Sequence, residues 1–237
     1  MKQQIISIGG CAFAKVGSSQ PSALSSYFLE QTEKDRPKIC FIPTASADDA
    51  KYTMNFYEEF TRTPCYPSHL SLFLPPTRDI EGFLLEKDAI FIGGGNTKNM
   101  LVLWREWGVD RILKKAYDNG VVLGGVSAGM NCWYEECVTD SLFGELSPLP
   151  CLGFLKGSAC PHYDGEEMRR PSYQAFIKNG KMKGGIAIED FAAAHYVNGE
   201  IVRVITEKSS TGYTVSLQDG AVVEKRLQSV TLRSQDL

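Results

Sequence analysis

Several common features are missing from this 237-residue chain, and each absence narrows what it can be. No apolar run approaches the ~20 residues that a membrane-spanning helix requires. Met1-Lys2-Gln3-Gln4-Ile5-Ile6 enters a strand-like segment directly, without the apolar stretch of a signal peptide. There is no basic excess. The formal net charge is −3, so the electrostatic footprint of a nucleic-acid or membrane-surface binder is absent. Histidine is scarce, with three in all, and no C-x-x-C pair occurs, so neither a zinc site nor another metal centre is expected. The seven cysteines (Cys11, Cys40, Cys65, Cys132, Cys137, Cys151 and Cys160) are odd in number and scattered. That pattern fits small buried residues in a reducing compartment and not a disulfide framework. No repeat, low-complexity tract or Pro/Ser-rich linker interrupts the chain. The expectation is one cytoplasmic domain over residues 1–237, without nucleic-acid or membrane partner and without metal or organic cofactor.

What is present reads as alternating strands and helices. Gln4 to Gly10 is a strand ending in glycines. Ser18-Ser19-Gln20-Pro21 opens a helix. Lys38 to Pro43 is a strand, Asp48 to Thr61 a helix, and the alternating Leu70, Leu72 and Leu74 predict another strand. Asp79 to Glu86 is a short helix. Asp88 to Ile92 is a buried strand running into Gly93-Gly94-Gly95-Asn96-Thr97, with helical segments following up to Tyr117. Such alternation predicts right-handed crossovers and a mostly parallel sheet flanked by helices, with sites beyond the strands' carboxyl ends. The last third differs. A strand over 153–160, a helix over 166–178 and a strand over 185–188 precede two antiparallel hairpins turning at Asn198-Gly199 and Asp219-Gly220.

The chain is organised around Val121 to Met130. A short apolar run meets Gly125-Val126-Ser127-Ala128-Gly129, which fits G-x-S-x-G, and a helix is expected over Ala128 to Glu136. A strand must turn sharply into a helix there, with Ser127 at the corner and the Ala128 N–H free to donate to an oxyanion. A Gly-Ser-Gly turn is often only a turn, but the flanking strand and helix are what a nucleophile elbow requires.

A serine at an elbow needs an imidazole to take its proton. His69 lies two βα units before the elbow, and a solvated strand position is the ordinary reading of His195. His162 follows a strand end, where a catalytic loop belongs, and is the favoured base. Asp140 and Glu189 are both candidates for the orienting acid, while Asp164 is too near His162 in sequence. Gly93-Gly94-Gly95 lacks the spacing of a phosphate-binding loop and suits an oxyanion donor better.

Strand-Gly-Gly-Gly-Asn-Thr followed one βα unit later by Gly125 to Asn131, a Gly-x-Ser-Ala-Gly-x-Asn segment, resembles the serine peptidases of family S51 from Ile5 to Val204. That family includes α-aspartyl dipeptidases and cyanophycinases. The resemblance implies a fold like the class I glutamine amidotransferases. It implies Ser127 as nucleophile, His162 as base, Asp140 as acid, and an oxyanion hole from Gly94 and the Ala128 N–H. It also implies Glu189 at the substrate amine or in place of Asp140, and Arg169 or Arg170 near a substrate carboxylate. The expected activity is hydrolysis of short peptides, dipeptides with N-terminal aspartate among them, by a chain that could form a homodimer. The alternatives are another amidohydrolase of this fold, acting on isopeptides or side-chain amides, and a non-catalytic ligand-binding relative.

Overall fold

The computed structural model describes residues 1–15 and 17–232. Its elements run β1 (Gln4–Ile8), α1 (Ala23–Glu30), β2 (Lys38–Ile42), α2 (Ala50–Phe60), β3 (Tyr66–His69), α3 (Ile80–Leu85), β4 (Ala89–Ile92), α4 (Thr97–Trp107), α5 (Val109–Asp118), β5 (Val122–Val126) and α6 (Ala128–Asn131). There follow β6 (Tyr134–Leu142), β7 (Glu145–Pro150), β8 (Leu155–Cys160), α7 (Arg169–Lys178), β9 (Gly185–Ile188), β10 (Ala192–Val197), β11 (Glu200–Thr206), β12 (Gly212–Gln218), β13 (Ala221–Arg226) and β14 (Ser229–Thr231).

The strands form two sheets. The larger has the order β14-β11-β10-β1-β5-β4-β2-β3. Its five strands from β1 to β3 are parallel, and β10 closes antiparallel against β1. These parallel strands are near-continuous apolar runs because helices cover both faces. β4 makes the point: Ile90 and Ile92 join the core on one side, Ala89 and Phe91 the core on the other. The side-chain period of two delivers adjacent residues to opposite layers. The smaller sheet has the order β13-β12-β9-β8-β6-β7, with β6, β8 and β9 parallel and the outer strands antiparallel.

This is the α/β class expected, with a parallel sheet and helices, but the strands are divided between two sheets. The first tail hairpin, β10–β11, extends the larger sheet. The second, β12–β13, extends the smaller one. Two local expectations are corrected. The strand expected at Leu70 to Leu74 is β3, four residues earlier. Leu70 and Leu72 are buried in the loop beyond it, where the Asp48 carboxylate accepts from the Leu72 and Phe73 N–H groups. The helix expected over 128–136 is a single turn, because aromatic and β-branched residues from Tyr134 onward pair as β6 instead. β7 has no counterpart in the sequence reading. It carries Pro148 and Pro150, which an edge strand tolerates, and it is an edge of its sheet.

No described helix is long and apolar enough to cross a membrane.

Candidate active site

Four strand ends meet at the site. β5 ends in Gly124-Gly125-Val126, and the chain turns at Ser127 with φ 57° and ψ −109°, a conformation seldom adopted outside glycine. The corner is held from both sides. The Ser127 N–H donates to the Ile8 carbonyl at the end of β1 (3.1 Å), and the Ser127 carbonyl accepts from Met130 and Asn131 (2.9 Å each). Gly125 is required for a close approach: a Cβ there would lie 2.6 Å from the Gly129 carbonyl oxygen and 2.7 Å from that of Ile92.

His162 arrives from the end of β8, past Pro161, also at positive φ (52°). The Tyr163 N–H donates to the Ile188 carbonyl (3.2 Å), tying this loop to β9. The Ser127 hydroxyl lies 2.9 Å from His162 Nε2, and His162 Nδ1 lies 2.7 Å from Asp190 Oδ1. The chain of bonds fits a neutral imidazole: Ser127 donates to Nε2, and the Nδ1–H donates to Asp190. Asp190 is fixed in turn. Its N–H donates to Asp164 Oδ1 (2.9 Å), and Gly10, at the end of β1, forms a bridge with it. Any Cβ on Gly10 would collide with the Asp190 carboxylate and lie 2.6 Å from His162 Nδ1. Both His162 and Asp190 keep about a fifth of their side chains exposed, which suits groups that must meet a substrate.

The acid next to His162 is therefore Asp190, which the sequence reading did not name. Asp140, expected there, is on β6 with its side chain 58 % exposed, and lies 3.6 Å from Arg169 Nη2. Glu189 is also elsewhere. It accepts from the Thr211 N–H and the Tyr213 hydroxyl (2.8 Å each) and so faces β12. Alternation along an extended segment explains the difference: neighbouring Glu189 and Asp190 point to opposite sides. Two adjacent acids at a strand end were the signal available in the sequence.

The two backbone N–H groups expected to receive an oxyanion, those of Gly94 and Ala128, differ in their surroundings. The Gly94 N–H donates to the Tyr52 hydroxyl (3.1 Å). The Ala128 N–H, first in α6, and the Gly95 N–H donate to no protein acceptor among the described residues. Gly95 and Ser127 line one cavity of about 340 Å³, with Asn96, Asp140, Glu166 and Arg169 also on its wall.

Arg170 is occupied outside the site. Its guanidinium pairs with Glu224 of β13 and lies 5.1 Å from the ring centres of Tyr163 and Tyr213. Burial would push the Glu224 carboxyl up, but hydrogen bonds from Tyr163, Arg170 and Gln174 hold it below its ordinary value. The other two histidines are apart from Ser127. His69 pairs with the Tyr57 hydroxyl (2.8 Å). His195, expected at a solvated position, is buried between Tyr27 and Gln4. Among the described residues no group of three or more His, Cys, Asp or Glu side chains is placed to hold a metal ion.

Two solved structures are similar in fold. One is a peptidase from an acI-B1 Actinobacterium, at a TM-score of 0.72 and 14 % identity over 97 % of this chain and 95 % of that one. The other is a putative peptidase E from Listeria monocytogenes EGD-e, at a TM-score of 0.63 and 16 % identity over 96 % of this chain and all of that one. At the sequence level the chain is 48 % identical over 225 residues to an uncharacterized peptidase, YgaJ, of Bacillus subtilis (strain 168), covering 94 % of this chain and 96 % of that protein. Residues 6–204 match the peptidase family S51. With the elbow, the site and this similarity along nearly its whole length, the chain belongs to peptidase family S51.

Proposed function

We propose that this peptidase hydrolyses short peptides by a serine mechanism with Ser127 as nucleophile, His162 as general base and acid, and Asp190 as the group that orients the imidazole. The observation that carries the reading is the unbroken chain of hydrogen bonds Ser127–His162–Asp190, at 2.9 and 2.7 Å. Ser127 Oγ attacks the scissile carbonyl carbon while His162 Nε2 takes its proton. The carbonyl π electrons move onto oxygen, and the Ala128 and Gly95 N–H groups receive the oxyanion. One such donor is worth about 3–4 kcal/mol in other serine enzymes. When the tetrahedral intermediate collapses, the C–N bond breaks and His162 returns its proton to the departing amine. Water, activated by the same imidazole, then releases the acyl group and regenerates the Ser127 hydroxyl. Asp190 keeps the proton on Nδ1, so that Nε2 is the basic nitrogen, and stabilises the imidazolium as it forms. The cavity at Ser127, about 340 Å³, is of a size to take a short peptide segment.

Fluorophosphonate labelling followed by peptide mapping tests the assignment. A single adduct on Ser127 is expected, and none in Ser127→Ala or, on the same time scale, in His162→Ala. Digestion of an unbiased peptide library identifies the preferred bond. Cleavage of that peptide by Ser127→Ala at the wild-type rate would remove the mechanism.

A further inference from the structure

The resemblance to aspartyl dipeptidases implied an arginine for a substrate carboxylate, yet both arginines near His162 are engaged. Arg170 is held by Glu224 and two tyrosine rings. Arg169 does reach the cavity beside Ser127, but only 4 % of it is exposed. Two of its nitrogens donate, Nε to Glu166 Oε2 (2.6 Å) and Nη1 to the Val138 carbonyl (3.1 Å), and Nη2 lies at an ion-pair distance of 3.6 Å from Asp140 Oδ1. The guanidinium is almost wholly covered and pairs with both carboxylates of this wall.

Those carboxylates are what the cavity offers a ligand. The side chains of Asp140 and Glu166 are 58 % and 46 % exposed. Each turns one oxygen to Arg169. The other, Asp140 Oδ2 and Glu166 Oε1, has no hydrogen-bond partner among the described residues. Two carboxylates against one guanidinium leave this wall net negative, and no lysine lines the cavity. A substrate carboxylate placed here would be repelled by both acids. An ammonium would meet two unpaired acceptors, already oriented, in the cavity that contains the reactive serine.

We propose that Asp140 and Glu166, positioned by Arg169, bind the α-ammonium of the substrate. The enzyme then requires a free amino terminus and disfavours an acidic first residue. The inference rests on the Ser127 reading above and adds a substrate class to it. The resemblance implied Glu189 at the substrate amine or in place of Asp140, but its carboxylate accepts from Thr211 and Tyr213.

The test uses the full chain and the rate of fluorophosphonate labelling at Ser127, with L-leucinamide, N-acetyl-L-leucinamide and L-aspartic acid α-amide as competitors. Leucinamide is expected to protect at a concentration roughly tenfold below that of its acetylated form, which cannot present a cation, and below that of the aspartyl amide. Asp140→Asn and Glu166→Gln, conservative changes at exposed positions, should each weaken leucinamide protection several-fold without affecting the acetylated competitor. Each variant is normalised to its own rate without competitor. Equal protection by the acetylated amide, strongest protection by the aspartyl amide, or undiminished leucinamide protection in both variants would overturn the inference. Failure to form any adduct on Ser127 would overturn the serine reading itself, and the inference with it.

Discussion

One residue decides how this site is read. Glu189 and Asp190 are adjacent acids at the end of β9, and only Asp190 reaches His162. Ser127 and His162 were legible in the sequence as candidates because an elbow motif and a strand-end histidine have local signatures. The acid has no such signature, and which of two neighbours faces the imidazole depends on the register of β9 against β8 and β12. Asp190→Asn is expected to lower kcat by about 10²–10⁴-fold with little change in KM, since a misoriented imidazole is felt in the transition state. Asp140→Asn should act on KM instead, because its carboxylate lies in the cavity wall and not on the histidine. Steady-state kinetics on the peptide selected by library digestion separates the two. A collapse of kcat in Asp140→Asn with Asp190→Asn near normal would put the acid where the sequence resemblance had it.

At the scale of elements, the strand before the elbow and the helices between the parallel strands were readable from periodicity. The segment after the elbow was not. Ala128 to Glu136 has residues a helix accepts, yet it makes one turn and then leaves as β6, paired with β7 and β8. Long-range pairing overrides local propensity there, and no window of sequence contains the partner strands. The turn itself is tight because β4, β5 and α6 approach without side chains between them. Gly125→Ala would place a methyl group against the carbonyls of Gly129 and Ile92. The expected cost is about 1–3 kcal/mol of unfolding free energy, as for other insertions into a packed interior. Urea denaturation measures it. Unchanged stability would mean that the elbow backbone yields to admit the methyl group.

At the scale of the molecule, the first tail hairpin matters because of the sheet it joins. β10 and β11 extend the larger sheet past β1. This placement buries His195, opposite Ile6 on one side and Arg203 on the other, in a position that alternation alone assigned to solvent. What the sequence could not supply is that Tyr27 of α1 packs against β10. The Tyr27 hydroxyl lies 2.7 Å from His195 Nδ1 and Gln4 Oε1 lies 3.1 Å from Nε2, contacts that suit a neutral ring with its proton on Nε2. Burial first, then the positive charges of Lys2 and Arg203, push its pKa down to about 4. In the unfolded chain the same group titrates near ~6.5. Between these values the unfolded state binds a proton that the folded state refuses, so stability rises with pH across the window. The contribution is fully present above about 6.5 and is lost as pH falls towards about 4, amounting to about 3 kcal/mol at most. Other groups add their own slope, so the readout is a comparison. Unfolding free energy measured by urea at pH 7 and pH 4.5 should fall less steeply in His195→Gln than in the wild type, although the variant starts lower at pH 7 through loss of the Tyr27 contact. Parallel pH dependences in the two proteins would show that His195 protonates in the folded state as readily as in the unfolded one. The polar network between α1, β1 and β10 would then tolerate an imidazolium.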